Sequence, residues 1–194
     1  MPTTTVCVVE GPHGAGKSTV LQYMNRHQEQ IIYGEGVLDE TFSWPLQSLG
    51  METLWVANWF DRLGKLVREN KGGIIWTDRG PASAVFYTKN NAGALLTPMI
   101  KRLASEFTTT FDCEFKYVKI GAPLNVLKDR IAARMNEQRM SLSEGDSEQL
   151  KRCVCFYDSG EASDVHETAW SAEFSSTVPA KELASQMFAA LSVQ

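Results

Sequence analysis

The sequence predicts an α/β fold in which a doubly wound parallel sheet of about five strands carries helices on both faces. Three observations predict it. Short apolar runs alternate with longer stretches of helical periodicity, a glycine-rich turn joins the first apolar run to the first helix, and 43% of the 194 residues are hydrophobic. A chain of this length can bury a full core, and no linker, repeat or low-complexity tract divides it. We therefore expect one domain over residues 1–194.

Strands and helices alternate along the chain. The run 4–9 is apolar and β-branched, as a buried parallel strand requires, and a helical pattern follows from Lys17 to about His27. Further strands are predicted at 31–33, 74–76 and 115–120, with a weak one near 165–170. Further helices are predicted at 46–69 (one helix, or two broken near Gly50), 81–89, 97–107, 123–135, 146–157 and 179–192.

Charge and composition narrow the class of protein. Lys and Arg total 19 against 23 Asp and Glu, a net charge of −4 that gives no support to a nucleic-acid partner. No apolar run approaches the roughly 18 residues of a membrane helix. The first strand begins too early to leave room for a signal peptide, so we expect a soluble, cytoplasmic protein. The cysteines lack zinc-site spacing and are interpreted as reduced thiols: Cys7, Cys113, Cys153 and Cys155.

A phosphate-binding loop follows the first strand. Residues Gly11 to Ser18 match GxxxxGK[ST] in full, between an apolar strand and a helical pattern. Glycines allow backbone N–H groups to surround an anion at the helix N-terminus, Lys17 can reach the β- and γ-phosphates, and Ser18 can ligate Mg²⁺. ATP and Mg²⁺ are therefore the expected cofactors. The predicted nucleotide-binding residues here are Gly11, His13, Gly14, Ala15, Gly16, Lys17, Ser18 and Thr19. For His13, phosphate contact and a spacer role with the ring in solvent both remain open.

An acidic residue and an arginine end the third predicted strand. Asp78 and Arg79 lie where parallel sheets bind ligands, at the carboxyl end of a strand next to the first. We expect Asp78 to hold Mg²⁺ directly or through water, and Arg79 to pair with a phosphoryl group or with the catalytic acid. A surface ion pair is the alternative.

Three arginines form a candidate lid at about 130–147. Arg130 and Arg134 lie one helical turn apart, and Arg139 falls in the polar segment that follows. A small kinase needs such a lid to cover the transferring phosphate with positive charge. An ordinary solvated helix face explains the same spacing.

These motifs carry a resemblance to a family. EGPHGAGKST resembles the phosphate loop of herpesvirus thymidine kinases, and TDRGPASAVFY resembles the Asp-Arg segment of those enzymes and of thymidylate kinases. LWVANWFDRL looks like the substrate helix of thymidylate kinases, although Trp59 stands where they usually have Arg. The resemblance covers about residues 5–157 and implies a P-loop kinase that acts on nucleosides or nucleoside monophosphates. It is compatible with a viral protein in an infected host cell.

The segment after the second predicted strand distinguishes a nucleoside acceptor from a nucleoside-monophosphate acceptor. A nucleoside kinase needs a base near the 5′-hydroxyl, whereas a monophosphate kinase needs Arg for the acceptor phosphate. No Arg or Lys occurs from Gln28 through Asn58. By the resemblance, Glu35 occupies the position of the nucleoside-kinase base, although the prolines that usually flank it are glycines here. Predicted acceptor contacts are Trp55, Asn58, Arg79 and Tyr87, with core packing as the alternative for the aromatic residues and helix packing for Asn58.

The sequence thus predicts ATP-dependent phosphoryl transfer to the 5′-hydroxyl of a (deoxy)nucleoside that is thymidine-like. Catalytic roles fall to Glu35, Lys17, Asp78, Arg79, Arg134 and Arg139, and Arg130 is assigned to ATP. The alternatives are a nucleoside-monophosphate kinase and a non-catalytic nucleotide-binding module. A homodimer is compatible with a helical face of Trp59, Leu63 and Leu66, which core packing explains equally well. The loop after the weak strand is expected to approach the adenine.

Overall fold

A five-stranded parallel sheet forms the centre of the molecule. The structure is a computed structural model that describes residues 3–28, 31–33, 43–136 and 146–191. The strands follow the spatial order β2-β3-β1-β4-β5, and every pairing is parallel. Their bounds are Thr4–Glu10 (β1), Ile31–Tyr33 (β2), Ile74–Asp78 (β3), Cys113–Gly121 (β4) and Ala172–Ser175 (β5). The predicted α/β class and strand number are confirmed.

Helices cover both faces of this sheet. They are Lys17–Gln28 (α1), Leu49–Glu69 (α2), Pro81–Tyr87 (α3), Thr97–Phe111 (α4), Leu124–Asn136 (α5), Ser147–Asp158 (α6), Glu161–His166 (α7) and Ala180–Leu191 (α8), with a kinked 3-10 segment at Lys89–Leu95 between α3 and α4. Within the described residues, none of these helices is both long and apolar enough to cross a lipid bilayer.

The central strand shows why both faces are covered. Val6 and Val8 belong to a core shared with α2, α3, α4 and α7, whereas Cys7 and Val9 belong to a second core shared with α1, α5 and α8. Because side chains alternate across a strand, an unbroken apolar run must be buried on both sides. All four side chains are fully buried.

Strand register sets the position of the candidate site. Val9 pairs with Asp78 on one side and with Val118 on the other, so β1, β3 and β4 end at the same edge of the sheet. The turn that follows β1 contains the phosphate-loop motif, and Arg79 follows β3 directly. Because the strands are parallel, their carboxyl ends bring these two segments together.

The structure decides two local points that the sequence left open and corrects a third. α2 is one continuous helix that includes Gly50, and the Trp44 ring lies in the space that a side chain at Gly50 would need. Trp59 and Leu63 are buried in the core, so the helical face considered for a dimer packs inside the molecule. The strand predicted near 165–170 was misplaced, since 161–166 is α7 and the strand begins at Ala172.

Candidate functional site

The phosphate loop spans the turn from β1 to α1. Gly11 has φ of 143°, and a side chain there would place its Cβ 2.0 Å from the carbonyl oxygen of Ile120, so the turn lies directly against β4. Gly14 and Gly16 also have positive φ angles, of 76° and 82°. Residues from Gly11 to Ala15 are buried, and α1 begins at Lys17. The loop therefore has the backbone geometry that its motif predicts.

Lys17 is held across this loop. Its Nζ donates hydrogen bonds to the carbonyl oxygens of Gly11 at 2.8 Å and Pro12 at 3.0 Å, and the side chain is 5% exposed. Burial lowers the pKa of Lys17, and the nearby charge of Arg79 lowers it further, while Asp78 and Glu10 act in the opposite direction. An anion bound in the loop would strengthen the charged form in the same way that the two carboxylates do.

Ser18 and Asp78 form the candidate magnesium site. Both line a pocket of about 390 Å³ between α1 and the ends of β2 and β3. The Oδ1 atom of Asp78 is buried and has no hydrogen-bond partner in the described part of the chain. A buried carboxylate oxygen needs a partner, and hydroxyl and carboxylate oxygens are ligands that Mg²⁺ accepts beside phosphate and water. The residues present therefore fit this ion.

Arg79 adopts a backbone conformation that is uncommon for a non-glycine residue. Its φ is 69°, in the left-handed region. Its N–H donates to the Val9 carbonyl at 3.0 Å, and its carbonyl accepts a hydrogen bond from the Thr77 hydroxyl at 2.9 Å. Its guanidinium donates to the Tyr87 hydroxyl at 2.8 Å. Backbone and side chain are thus both fixed beside the phosphate loop.

His13 turns inward from the loop rather than toward solvent. The ring is 7% exposed; its Nδ1 lies 3.4 Å from Nη2 of Arg79, and its Nε2 contacts the Tyr87 hydroxyl. Burial, followed by the charges of Arg79, Lys17 and Arg134, lowers the pKa of His13 to about 3. Since a guanidinium only donates, Nδ1 accepts, and the neutral ring carries its proton on Nε2. The solvent-facing spacer role is therefore wrong.

A pocket of about 490 Å³ lies between the phosphate loop, α5 and the residues after β5. Four cationic side chains line it: Lys17, Arg79, Arg130 and Arg134. So do Gly14, Gly16, Ser18 and Thr19, and the far side consists of Ser176, Val178, Ala180 and Leu183. The loop after β5 was expected near the adenine, but the sequence alone did not identify Ser176 or Val178 in that loop, nor Ala180 and Leu183 at the start of α8, as pocket residues. The pocket is lined by both cationic and apolar side chains, which suits an anionic nucleotide with an apolar base.

Arg130 joins the two sides of that pocket. Its guanidinium donates from Nη1 to the Gly14 carbonyl at 3.1 Å and to the Ser176 hydroxyl at 2.8 Å, and from Nη2 to the Ser176 carbonyl at 2.6 Å. In this arrangement it connects the phosphate loop to the loop after β5. Its predicted contact with ATP phosphates stays a prediction. Arg134 lies one turn further along α5 and is exposed.

The structure describes only some of the residues that were predicted to bind or activate the acceptor. Tyr87 lies at the phosphate loop through its contacts with Arg79 and His13. Trp55 is partly buried against the core, and Asn58 is partly buried on α2. Glu35 and Arg139 lie outside the described residues. The structure thus brings together the loop, Asp78, Arg79, Tyr87 and the first two lid arginines.

No protein-family model matches the chain, and no curated protein matches it. Similar folds occur among solved structures. The YorR protein from Bacillus subtilis, solved in complex with phosphorylated GDP, has a TM-score of 0.63 at 18% identity, over 97% of this chain and 96% of that one.

Two further structures belong to enzymes. Deoxyadenosine kinase from M. mycoides has a TM-score of 0.56 at 15% identity, covering 98% of this chain and 100% of that one. A gluconokinase from Sinorhizobium meliloti 1021 has a TM-score of 0.54 at 14% identity, with 98% and 92% covered. At these identities the likeness shows the fold. The chain shares the fold of these two kinases, and its own GxxxxGK[ST] motif lies in the turn between β1 and α1.

Proposed function

We propose that this chain transfers the γ-phosphoryl group of ATP to the 5′-hydroxyl of a nucleoside, with a thymidine-like nucleoside as the first candidate. One observation gives the main support for the phosphotransferase part of this proposal. Lys17, Arg79 and Arg134 converge on a single pocket at the phosphate loop, beside the buried Oδ1 of Asp78, which has no hydrogen-bond partner among the described residues. Fixed positive charge around the transferring group is the main catalytic element of phosphoryl transfer.

The proposed role of each pocket residue follows from its position. Loop amides and Lys17 would bind the ATP phosphates, and the partly apolar wall at Val178 and Leu183 would take the adenine. Arg79 and Arg134 would neutralise charge that develops on the transferring group. When bound, Mg²⁺ would be held by Ser18 and Asp78 and would supply further neutralisation at the phosphate oxygens.

The lack of positively charged residues before α2 and along its first half supports a neutral acceptor. An acceptor phosphate needs a well-placed cation, and the sequence has no Arg or Lys from Gln28 through Asn58. Trp59, which stands where the resemblance would place Arg, is 4% exposed and packs in the core. The next cation on the helix, Arg62, lies with its guanidinium 5.1 Å from the centre of the Tyr33 ring. These features favour a nucleoside over a monophosphate.

Glu35 completes the proposed mechanism as general base. It follows Tyr33, the last residue of β2, by two positions and is assigned from the sequence. Its carboxylate would accept the 5′-hydroxyl proton as the oxygen attacks the γ-phosphorus, so that the hydroxyl becomes a competent nucleophile. The second candidate function, thymidylate kinase activity, is favoured by the resemblance of the LWVANWFDRL segment and would require Arg62 or a lid arginine to bind the acceptor phosphate.

The direct test follows ADP release from ATP with and without thymidine. We expect nucleoside-dependent turnover in the wild type and a loss on the order of 100-fold or more in Lys17→Ala. Lys128→Ala, an exposed lysine on α5, is the matched control and should behave as wild type. Normal transfer by Lys17→Ala would contradict the assignment of the loop to catalysis.

A further inference from the structure

A buried carboxylate lies beneath the phosphate loop. Glu10 is the last residue of β1, immediately before Gly11, and its side chain is 0% exposed. The four residues before it in the strand, Val6 to Val9, are all apolar. A carboxylate is expensive to bury unless donors and cations surround it, so its presence at the end of an apolar strand requires an explanation. The GxxxxGK[ST] motif does not provide one.

Three groups from separate segments donate hydrogen bonds to this carboxylate. The Gly80 N–H, in the turn after β3, donates to Oε1 at 3.0 Å. The hydroxyls of Ser83 on α3 and Tyr157 on α6 donate to Oε2 at 3.1 and 3.0 Å. Glu10 therefore joins β1 to three elements that surround the candidate site.

The hydrogen bond between Gly80 and Glu10 helps to fix the backbone of Arg79, the residue before Gly80. Arg79 has its left-handed backbone secured on one side by its own N–H bond to the Val9 carbonyl and on the other by the Gly80 bond to Glu10. The turn also lies directly on β1, since a Cβ at Gly80 would come 2.5 Å from Cγ1 of Val8. A strained conformation persists only where its surroundings hold it, and Glu10 supplies one of these restraints.

Charge supports the same role. Burial raises the pKa of the Glu10 carboxyl to about 7, and the Tyr157 hydroxyl, the positive charges of Lys17 and Arg79, and the Ser83 hydroxyl all act in the opposite direction. An ionised Glu10 would in turn stabilise both cations in a buried site. The carboxylate thus lies where it can fix the position and the charge of Arg79 together.

We infer that Glu10 is a positioning residue, which holds the turn at Gly80 so that Arg79 faces the phosphate loop, and which connects that turn to α6 through Tyr157. α6 begins at Ser147, at the end of the predicted lid. α6 and the turn at Arg79 are therefore both hydrogen-bonded to the same buried carboxylate, that of Glu10. This inference rests on the proposed phosphoryl transfer for its effect on rate, and on contacts independent of that function for its structural part.

The first test is a double-mutant cycle between Glu10 and Arg79. Glu10→Gln keeps the shape of the side chain and removes its charge. We expect it to lower kcat by roughly 10- to 100-fold with the ATP dissociation constant nearly unchanged, since small misplacement of a catalytic group has costs of that size. In an Arg79→Ala background, the same change should cost less than about two-fold, because Glu10 acts through Arg79. Equal losses in both backgrounds, or an unchanged kcat, would overturn the inference.

Tyr157→Phe and Ser83→Ala keep the test valid if Glu10→Gln does not fold. Each removes one hydroxyl donor, and each should lower kcat by roughly two- to five-fold, the effect of one buried hydrogen bond. Tyr117→Phe is the matched control, because Tyr117 is also buried and its hydroxyl makes no hydrogen bond to Glu10. A loss in Tyr117→Phe equal to that in Tyr157→Phe would show a general packing effect and contradict the proposal.

Amide hydrogen exchange at Gly80 separates this inference from the proposed function. The Gly80 N–H should exchange slowly in the wild type and in Tyr117→Phe, and at least about ten-fold faster in Glu10→Gln. Absence of nucleoside phosphorylation in the wild type would remove the proposed function and leave this readout intact. Unchanged Gly80 exchange in Glu10→Gln would remove the positioning role whatever the activity.

Discussion

Arg130 and Ser176 are joined by two hydrogen bonds from one guanidinium, at 2.8 Å to the hydroxyl and 2.6 Å to the carbonyl oxygen. Since the same Nη1 atom reaches the Gly14 carbonyl, a single side chain on α5 connects the phosphate loop to the loop after β5. The planar guanidinium suits this arrangement because it donates several bonds in fixed directions. Arg130 therefore connects two segments that line the pocket of about 490 Å³.

Replacing Arg130 by Lys should loosen that connection. Lysine keeps the charge but cannot donate to both segments with the same geometry. We expect the KM for ATP to rise about ten-fold, equivalent to about 1.4 kcal/mol, with a smaller change in kcat. Ser176→Ala, which removes one acceptor, should raise the KM by a smaller factor. Lys128→Ala on the same helix serves as control, and an unchanged KM in Arg130→Lys would contradict the role.

Asp78→Asn tests the candidate magnesium site. The amide keeps the size of the side chain but binds Mg²⁺ poorly, so the Mg²⁺ concentration for half-maximal turnover should rise by roughly ten-fold or more. Stability without the metal should not fall, because the buried Oδ1 has no hydrogen-bond partner in the described residues to lose. Asp61→Asn, at an exposed position on α2, is the control. An unaltered Mg²⁺ titration would exclude Asp78 as a ligand.

Glu35→Gln tests the general base. Loss of a positioned base lowers rates by about 10²- to 10⁴-fold, so kcat for a nucleoside should fall into that range while ATP binding stays within about two-fold. Glu40→Gln, in the same acidic segment, is the matched control. Turnover of the Glu35 variant at the wild-type rate would remove this residue from the mechanism.

His166 should make the fold sensitive to acid. The ring is 8% exposed, stacks on Tyr117 with centroids 3.7 Å apart, and has no hydrogen-bond partner for either nitrogen within the described ranges. Burial lowers its pKa to about 3. Because the unfolded ring titrates near 6.5, the unfolded state binds more protons between those values, and stability is lost as the pH falls through this range.

Urea unfolding at pH 7.5 and pH 5 measures that effect. The contribution of His166 at pH 5 is a loss of about 2 kcal/mol in the free energy of unfolding, which His166→Phe should remove. His27→Phe is the control, since His27 is exposed on α1 and contacts the Tyr23 ring. His13 contributes equally in both variants. The same pH dependence in His166→Phe and His27→Phe would contradict the interpretation.

Much of the fold followed from patterns with a direct physical cause. The unbroken apolar run of β1 predicted a strand buried on both faces, and the motif from Gly11 to Ser18 predicted the turn and helix that follow. β5 was misplaced because Val165 and His166 are buried by helical packing against the core, which a short apolar stretch does not distinguish from a strand. The strand itself, Ala172–Ser175, has weak alternation and is positioned by its pairing with β4.

The candidate site was predictable where it depends on local chain geometry. Lys17, Ser18 and Asp78 follow from a motif and from a strand end, whereas Ser176 reaches the pocket through long-range packing that leaves no local pattern. His13 is inward-facing because Arg79 and Tyr87, over 60 residues away in sequence, supply its partners. Glu10 could have been identified from one feature, an acidic residue that ends an otherwise apolar strand.

Phosphate transfer from ATP to matched panels of nucleosides and their 5′-monophosphates tests the central claim most directly. With thymidine and thymidylate included, we expect labelled product from nucleosides and none from monophosphates, because the sequence has no Arg or Lys from Gln28 through Asn58 and Trp59 is buried. Product from monophosphates alone would contradict the account, since Arg62 or a lid arginine would then have to bind that phosphate and Glu35 would have no proton to accept.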